Sequence, residues 1–121
     1  MTSSTSKPTE NAWLWLLKIL SGVLIIVILI LHLIVNHFTA PEGLLSHAEV
    51  VAYYQNPLIP IMEGFFLVFV VIHSLLGLRS ILLDLRPSPP LLRIADGFLS
   101  IFGVGFIIYG LWLLMAVVSQ G

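Results

Sequence analysis

Three long apolar runs restrict the fold of this chain more than any other feature of its sequence. They cover about residues 13–38, 59–83 and 91–118. Each run has the roughly 20 residues that an α-helix needs to cross about 30 Å of hydrocarbon. The runs are continuously apolar and lack the alternation that is typical of membrane β-barrel strands. We therefore predict an all-α membrane protein with three transmembrane helices.

The composition agrees with this class and excludes several kinds of site. Of the 121 residues, 59% are hydrophobic and 9% are charged, and the mean hydropathy is +1.09. Soluble domains carry about a quarter charged residues. The few basic residues form no patch that indicates a nucleic-acid partner. The chain has no cysteine, which excludes disulfides, iron–sulfur ligation and covalent haem attachment through its own residues.

The polar segments predict one tail and one domain. Residues 1–12 are rich in Ser and Thr and lack the basic region and cleavage site of a signal peptide, so we expect a flexible polar tail. Residues 13–121 then form a three-helix transmembrane anchor domain. We expect a short amphipathic helix over residues 44–54 at the membrane interface and a sharp stop at "RPSPP".

The basic residues predict the orientation. Lys7 and Lys18 lie at the N-terminal side, and Arg79, Arg86 and Arg93 surround the second connection, whereas the first connection has no Lys or Arg. The positive-inside rule places the N-terminus and the second connection in the cytoplasm and the C-terminus outside. We expect a multi-pass protein of the inner, cytoplasmic membrane.

Small residues in the second and third runs indicate close helix packing. They are Ser74, Gly77, Gly97, Gly103, Gly105 and Gly110. Such residues allow helix backbones to approach one another. Because three helices make a poor bundle by themselves, we predict that they form a bundle with a partner subunit.

The second run contains polar residues in "HSLLGLRSILLD". At 100° per residue, Gly77 and Asp84 lie within about 40° of His73, whereas Arg79 points about 120° away. Ionisable residues inside a membrane are costly and mark a functional site by default. Gly77 lies one turn from His73, where bare backbone would let a flat macrocycle approach.

A second polar stripe lies on the first run. Lys18, Ser21, Ile25, His32 and Asn36 all lie within about 40° of the direction of His32. Lys18 and Ser21 are near the predicted inner end, and His32 is near the outer end. The other two histidines, at positions 37 and 47, are assigned to the wet outer surface without a function.

These residues have a structural interpretation as well as a functional one. A membrane histidine can bond to a serine or a backbone carbonyl of a neighbouring helix, and Arg79 and Asp84 can form an ion pair at the membrane surface. Lys18 and Ser21 can mark an ordinary helix start, and Glu63 can stabilise a helix N-terminus.

The functional interpretation is that the membrane histidines bind haem non-covalently, because neutral imidazole is the common axial ligand of b-type haem. His32 lies about 8 Å, and His73 about 20 Å, from the outer end of its helix. One iron cannot readily take two ligands so far apart in depth. Either one of the two histidines binds haem, or they serve two haems that each take a second histidine from a partner.

Both stretches resemble a known family. "HSLLGLRSILLD" resembles the His-x-x-x-Gly-x-Arg-x-x-x-x-Asp pattern of a membrane anchor subunit of succinate dehydrogenase. "LSGVLIIVILILH" resembles the first helix of anchors of the two-anchor, two-haem type. The resemblance covers about residues 13–118, and the three-helix layout and orientation agree with it.

The resemblance implies a role for each polar residue. His73 and His32 would be axial ligands of two b haems, beside Gly77, and Arg79 would be a candidate partner of a haem propionate. Three residues would lie near the quinone or the iron–sulfur subunit: Ser21, Lys18 and Asp84. The tyrosine that follows the aspartate in ubiquinone-reducing relatives is Leu85 here. Both menaquinone and ubiquinone therefore stay open.

The implied function belongs to respiratory electron transport and the tricarboxylic acid cycle. The chain would be a non-catalytic cytochrome b anchor of an oxidoreductase complex that passes electrons from succinate to quinone. Its partners would be a flavoprotein subunit, an iron–sulfur subunit, a second anchor and the lipid bilayer, with no nucleic acid. The alternatives are an anchor of fumarate reductase or of another cytochrome b complex, and a haem-free structural subunit.

Overall fold

Four helices make up the part of the chain that the structure, a computed structural model, describes. It describes residues 10–39, 43 and 45–121, with residues 36 and 39 as backbone alone. The helices are α1 (Ala12–Thr39), α2 (His47–Tyr54), α3 (Leu58–Asp84) and α4 (Pro89–Val118), and the described ranges contain no strand. The three long helices are each long and apolar enough to cross a membrane. The all-α prediction with three spans is confirmed.

Residues 1–9 of the predicted tail, with Lys7, lie outside the described residues, and the last residue of the tail, Ala12, begins α1. Asn11 Oδ1 accepts a hydrogen bond from the Trp13 amide at 2.9 Å. The first amides of a helix have no partner within the helix, so this side chain satisfies one of them.

The predicted short helix begins at His47, and position 44 lies outside the described residues. It has a capping box, in which the Ser46 amide donates to Glu49 Oε2 at 2.7 Å and Ser46 Oγ accepts from the Glu49 amide at 3.4 Å. The hydrogen bonds from Ser46 lower the pKa of Glu49. Gln55 Nε2, just after the helix, donates to the Val118 carbonyl at 3.1 Å. This bond attaches α2 to the end of α4, and its place at a membrane interface stays a prediction.

The "RPSPP" connection follows the end of α3. α4 begins within it at Pro89, two residues earlier than the sequence suggests. Arg86 has a φ of 52°, in the left-handed region, and its amide donates to the Leu83 carbonyl at 3.0 Å. Pro89 and Pro90 occupy the first positions of α4. A proline is favourable there because a first-turn amide has no helical acceptor to lose. The two prolines therefore belong to the third long helix.

The central helix is α3, because α1 and α4 both pack along it. Lys18 near the start of α1 contacts Ser80 near the end of α3, and His32 near the end of α1 contacts Glu63, so the two helices are antiparallel. The end of the molecule where α1 begins, α3 ends and α4 begins is called the basic end below. The end near His32 is called the distal end.

Small residues set the contact between α3 and α4. A Cβ added to Gly103 would lie 2.5 Å from Leu75 Cδ1, and one added to Gly110 would overlap the Leu67 side chain. Gly97 and Gly105 have no neighbouring atom within 4 Å of such a Cβ. The predicted role of small residues in helix packing therefore holds within this chain for Gly103 and Gly110.

The three long helices enclose little interior. Ile59 and Leu83 are the buried hydrophobic side chains among the described residues, and Ser21 is the buried polar one. Large apolar side chains remain exposed along all three helices, including the stacked rings of Phe98, Phe102 and Phe106 on α4. Such a surface needs lipid or protein around it, because water contact with it is unfavourable.

The glycine contacts predict a difference between two matched variants. Gly103→Val forces a branched side chain against Leu75, and overpacking of this kind costs about 1–3 kcal/mol of unfolding free energy. Gly105→Val faces open space in this chain, so we expect it to cost less. Unfolding of the isolated chain in mixed detergent micelles, followed by circular dichroism, measures the difference. Equal losses in the two variants would contradict the described α3–α4 packing.

Candidate functional site

His73 lies between α3 and α1, where two groups of α1 surround one of its ring nitrogens. Nδ1 is 3.1 Å from the Lys18 carbonyl oxygen and 3.3 Å from Ser21 Oγ. Ser21 Oγ donates to the same carbonyl at 2.9 Å. A carbonyl can only accept, so Nδ1 carries the proton that it bonds. In the neutral ring the lone pair is then on Nε2, the nitrogen that is available for a metal.

Gly22 makes room for this ring. A Cβ at position 22 would lie 3.0 Å from His73 Cε1, which is closer than nearly all real Cβ contacts. Ser21 is 1% exposed, so the serine and the glycine together form a small cradle on α1 for the imidazole. This Ser-Gly pair lies at the start of "LSGVLIIVILILH", the stretch of α1 that resembles the family. The structure supplies its physical reason, which is close approach of the histidine to the α1 backbone.

Gly77 lies one turn from His73 along α3, and nothing lies within 4 Å of where its Cβ would be. A flat group can therefore approach the α3 backbone at this position without a steric clash inside the chain. The predicted site for a macrocycle beside Gly77 stays a prediction.

His32 is held at the distal end by a charged partner. Its Nδ1 lies 2.7 Å from Glu63 Oε1, and the two side chains are 30% and 14% exposed. The ring also stacks on Phe66, with centroids 5.7 Å apart and planes at 19°. From the sequence, Glu63 is a residue that can stabilise a helix N-terminus. The structure places it in the second turn of α3, against His32.

The two histidines lie at different levels of the molecule. His73 is level with Ser21, and His32 is level with Glu63. Ten residues separate Glu63 from His73 along α3, which corresponds to about 15 Å of helix. This agrees with the difference in depth that the sequence predicts. A single iron cannot take both side chains.

Tyr53 and Tyr54 of α2 lie near Glu63 at the distal end. Burial raises the pKa of both tyrosines, and the negative charge of Glu63 raises it further. Tyr53 Oη is buried, and within the described ranges it has no hydrogen-bond partner.

Arg79 joins α3 to α4 rather than to α1. Its Nε donates to Asp96 Oδ1 at 2.7 Å and its Nη2 to Asp96 Oδ2 at 3.2 Å. Two parallel bonds of this kind are the strongest geometry for an arginine–carboxylate pair. Asp96 was missed in the sequence analysis, although a carboxylate within an apolar run is itself a signal.

Lys18 lies in a closed network at the basic end. Its Nζ donates to Ser80 Oγ at 2.7 Å and to Glu10 Oε2 at 2.9 Å, and Ser80 Oγ donates to Glu10 Oε1 at 3.0 Å. The hydrogen bond from Lys18 lowers the pKa of Glu10. The Lys18–Glu10 pair therefore stabilises the folded chain fully above the ordinary glutamate pKa of about 4.3. This stabilisation is lost as pH falls through the lower pKa that Glu10 has in the folded chain.

A groove of about 380 Å³ opens beside this network, between the start of α1, α3 and α4. Its lining is mainly leucine and isoleucine, with the Arg79–Asp96 pair and Ser100 as polar groups. Of the site residues predicted from the sequence, Arg79 lines this groove and the two histidines do not.

The predicted site residues thus fall into groups. Lys18, Ser21 and His73 come together between α1 and α3, with Gly77 on the next turn of α3. Asp84 is exposed at the end of α3, and His32 is at the distal end. Within the described ranges, no three His, Cys, Asp or Glu side chains are grouped so that they could hold a metal ion.

Comparison with known proteins gives two matches. Residues 2–91 match the family described as succinate dehydrogenase/fumarate reductase transmembrane subunit. The chain is also 30% identical, over 106 residues, to the succinate dehydrogenase hydrophobic membrane anchor subunit of Archaeoglobus fulgidus. That similarity covers 85% of this chain and 87% of the relative. No solved structure matches the chain.

The ion pair between α3 and α4 predicts coupled effects on folding. Asp96→Ala leaves a part-buried guanidinium without its carboxylate, so we expect the free energy of unfolding to fall by about 1–3 kcal/mol. The double variant of Arg79→Ala and Asp96→Ala should lose less than the sum of the single losses. Denaturant titration in micelles measures the cycle, with the exposed Arg93→Ala as control. Additive losses would show that the two side chains do not interact.

Proposed function

Because this chain belongs to the succinate dehydrogenase/fumarate reductase transmembrane subunit family, we propose that it is the haem-bearing anchor of a succinate:quinone oxidoreductase. Membership of the family makes it a multi-pass membrane protein that works within a complex. The proposal adds haem and quinone to this anchoring role. The observation that carries it is the geometry of His73.

His73 has the features of an axial ligand. Its Nδ1 bonds to the Lys18 carbonyl, which fixes the tautomer with its lone pair on Nε2. Metal-bound histidines commonly donate the hydrogen of their other ring nitrogen to a backbone carbonyl. Gly77 leaves open space one turn away. A bound b haem would supply one-electron redox chemistry, and the chain's part is to hold, orient and enclose it.

His32 is the proposed ligand of a second haem at the distal end. Its distance from His73 along the helices requires a separate iron. Each iron would take its other axial ligand from a second anchor subunit, since each site brings one histidine of this chain. Arg79 is the proposed partner of a haem propionate; Asp96 would hold its guanidinium in place for that contact.

The proposed quinone site is at the basic end. Lys18, Ser21 and Asp84 are its candidate residues, and Lys18 is held by Glu10 and Ser80. Ser21 is buried against His73, so it would contribute through its contact with His73 rather than from an exposed surface. Either menaquinone or ubiquinone suits this arrangement. The basic end would face the cytoplasm, where the iron–sulfur and flavoprotein subunits would dock.

Two alternatives follow from particular observations. The matched family includes fumarate reductase subunits, and the direction of the reaction depends on potentials rather than on the anchor's fold. The bonds of His73 to Ser21 and to a backbone carbonyl also suit a histidine that only joins two helices. An absorption spectrum of the purified complex separates these cases, because a complex without a Soret band has no haem.

The histidine assignments predict separate losses of haem. His73→Ala should remove one b haem from the purified complex and His32→Ala the other, because each removes the axial ligand of a different iron. The α-band of the reduced pyridine haemochrome measures the amount of haem per complex. His37→Ala, an exposed side chain on the same helix as His32, is the control. Unchanged haem in His73→Ala would contradict the central assignment.

The quinone assignment predicts a change in KM rather than in succinate oxidation. Lys18→Met removes the positive charge at the basic end, and we expect the KM for quinone to rise several-fold. Reduction of a water-soluble dye by the catalytic subunits should not change. Ser80→Ala removes a bond partner of Lys18 but keeps the charge, so it controls for structural effects. An equal rise in both variants would point to structure rather than to quinone binding.

A further inference from the structure

We propose that Glu63 is a positioning residue for the haem that His32 would ligate, and that it lowers the reduction potential of that haem. This inference rests on the proposed function, and it assigns to Glu63 a role beyond binding. Its carboxylate would accept the Nδ1 proton of His32, hold the ring in one tautomer and increase the electron donation of Nε2 to iron.

The position of Glu63 argues for a specific partner. A carboxylate that is 14% exposed within an apolar helix is costly unless it is paired and hydrogen-bonded. Glu63 is the sixth residue of α3, beyond the first turn where the helix dipole favours negative charge. The short contact to His32 supplies the partner, at 2.7 Å. Glu63 is thus held by the histidine and not by the end of its own helix.

The geometry of the ring agrees with a positioned ligand. Nδ1 points at Glu63, and the face of the imidazole stacks on Phe66. The hydrogen bond fixes one nitrogen, and the stacking restricts rotation of the ring plane. Carboxylate–histidine pairs of this kind are a common outer shell of metal-bound histidines, where they fix the tautomer and raise ligand basicity.

The two histidines differ in the charge of the group that accepts their Nδ1 proton. For His73 the acceptor is the neutral carbonyl of Lys18, and for His32 it is the carboxylate of Glu63. A negative acceptor gives the imidazole more anionic character, which stabilises ferric over ferrous iron. Hydrogen bonding around the axial ligand is one of the means by which a protein sets haem potential. The asymmetry therefore predicts that the carboxylate acts on one of the two haems.

The test is a redox titration of the intact, purified complex, followed by haem absorbance. Glu63→Gln keeps the size of the side chain and removes its charge. We expect both haems to remain and the midpoint potential of one to rise. A tenfold change in its reduced-to-oxidised ratio corresponds to about 59 mV for one electron. The haem that shifts should be the one that His32→Ala removes.

Two further variants separate positioning from a structural role. Glu63→Asp keeps the charge at a greater distance, so we expect a smaller rise in the same direction. If Glu63→Gln does not assemble, this variant decides the question, and an unchanged potential overturns the inference. Glu49→Gln removes an exposed carboxylate of α2, outside the spans, and should leave both potentials unchanged.

The other outcomes distinguish this inference from the proposed function. Two haems with unchanged potentials in Glu63→Gln overturn the role of Glu63 and leave the haem anchor standing. One haem that is lost in His73→Ala and kept in His32→Ala overturns the inference and the second-haem assignment of His32, and it leaves the His73 haem anchor standing. A wild-type complex that contains no haem overturns both.

Discussion

The pairing of polar side chains between helices is the constraint on which this structure depends. In hydrocarbon a lone charge or an unpaired donor is costly, so each such group needs a partner on a neighbouring helix. α3 provides these partners on both sides: Ser80, His73 and Glu63 face α1, and Arg79 faces Asp96 on α4. Since the three long helices bury few apolar side chains against one another, these contacts define the register of the helices.

Much of the fold could be predicted because it depends on local properties of the chain. Span length follows from hydropathy, and the face of α1 that carries Lys18, Ser21 and His32 follows from 100° per residue. The structure confirms this face, since all three side chains contact α3. The sequence placed the start of the third helix two residues late at "RPSPP", because proline can end one helix and begin the next.

The partners across helices could not be predicted, because they depend on the relative shift of two antiparallel helices. Nothing local to Glu63 indicates that it lies level with His32, and nothing local to Arg79 selects Asp96. A shift of one turn, about 5.4 Å, would exchange every one of these contacts. The proposed haem and quinone sites are harder still to predict from this sequence, since other molecules would complete them.

The cradle that Ser21 and Gly22 form has a consequence for the order of assembly. It orients the His73 ring with groups of this chain alone, through the Lys18 carbonyl and the absent Cβ at position 22. The imidazole therefore loses rotamer freedom when α1 and α3 pack, through contacts of this chain alone. In the proposed anchor, maturation of the cofactor site then becomes capture by a preorganised ligand, in which little side-chain entropy is left to lose.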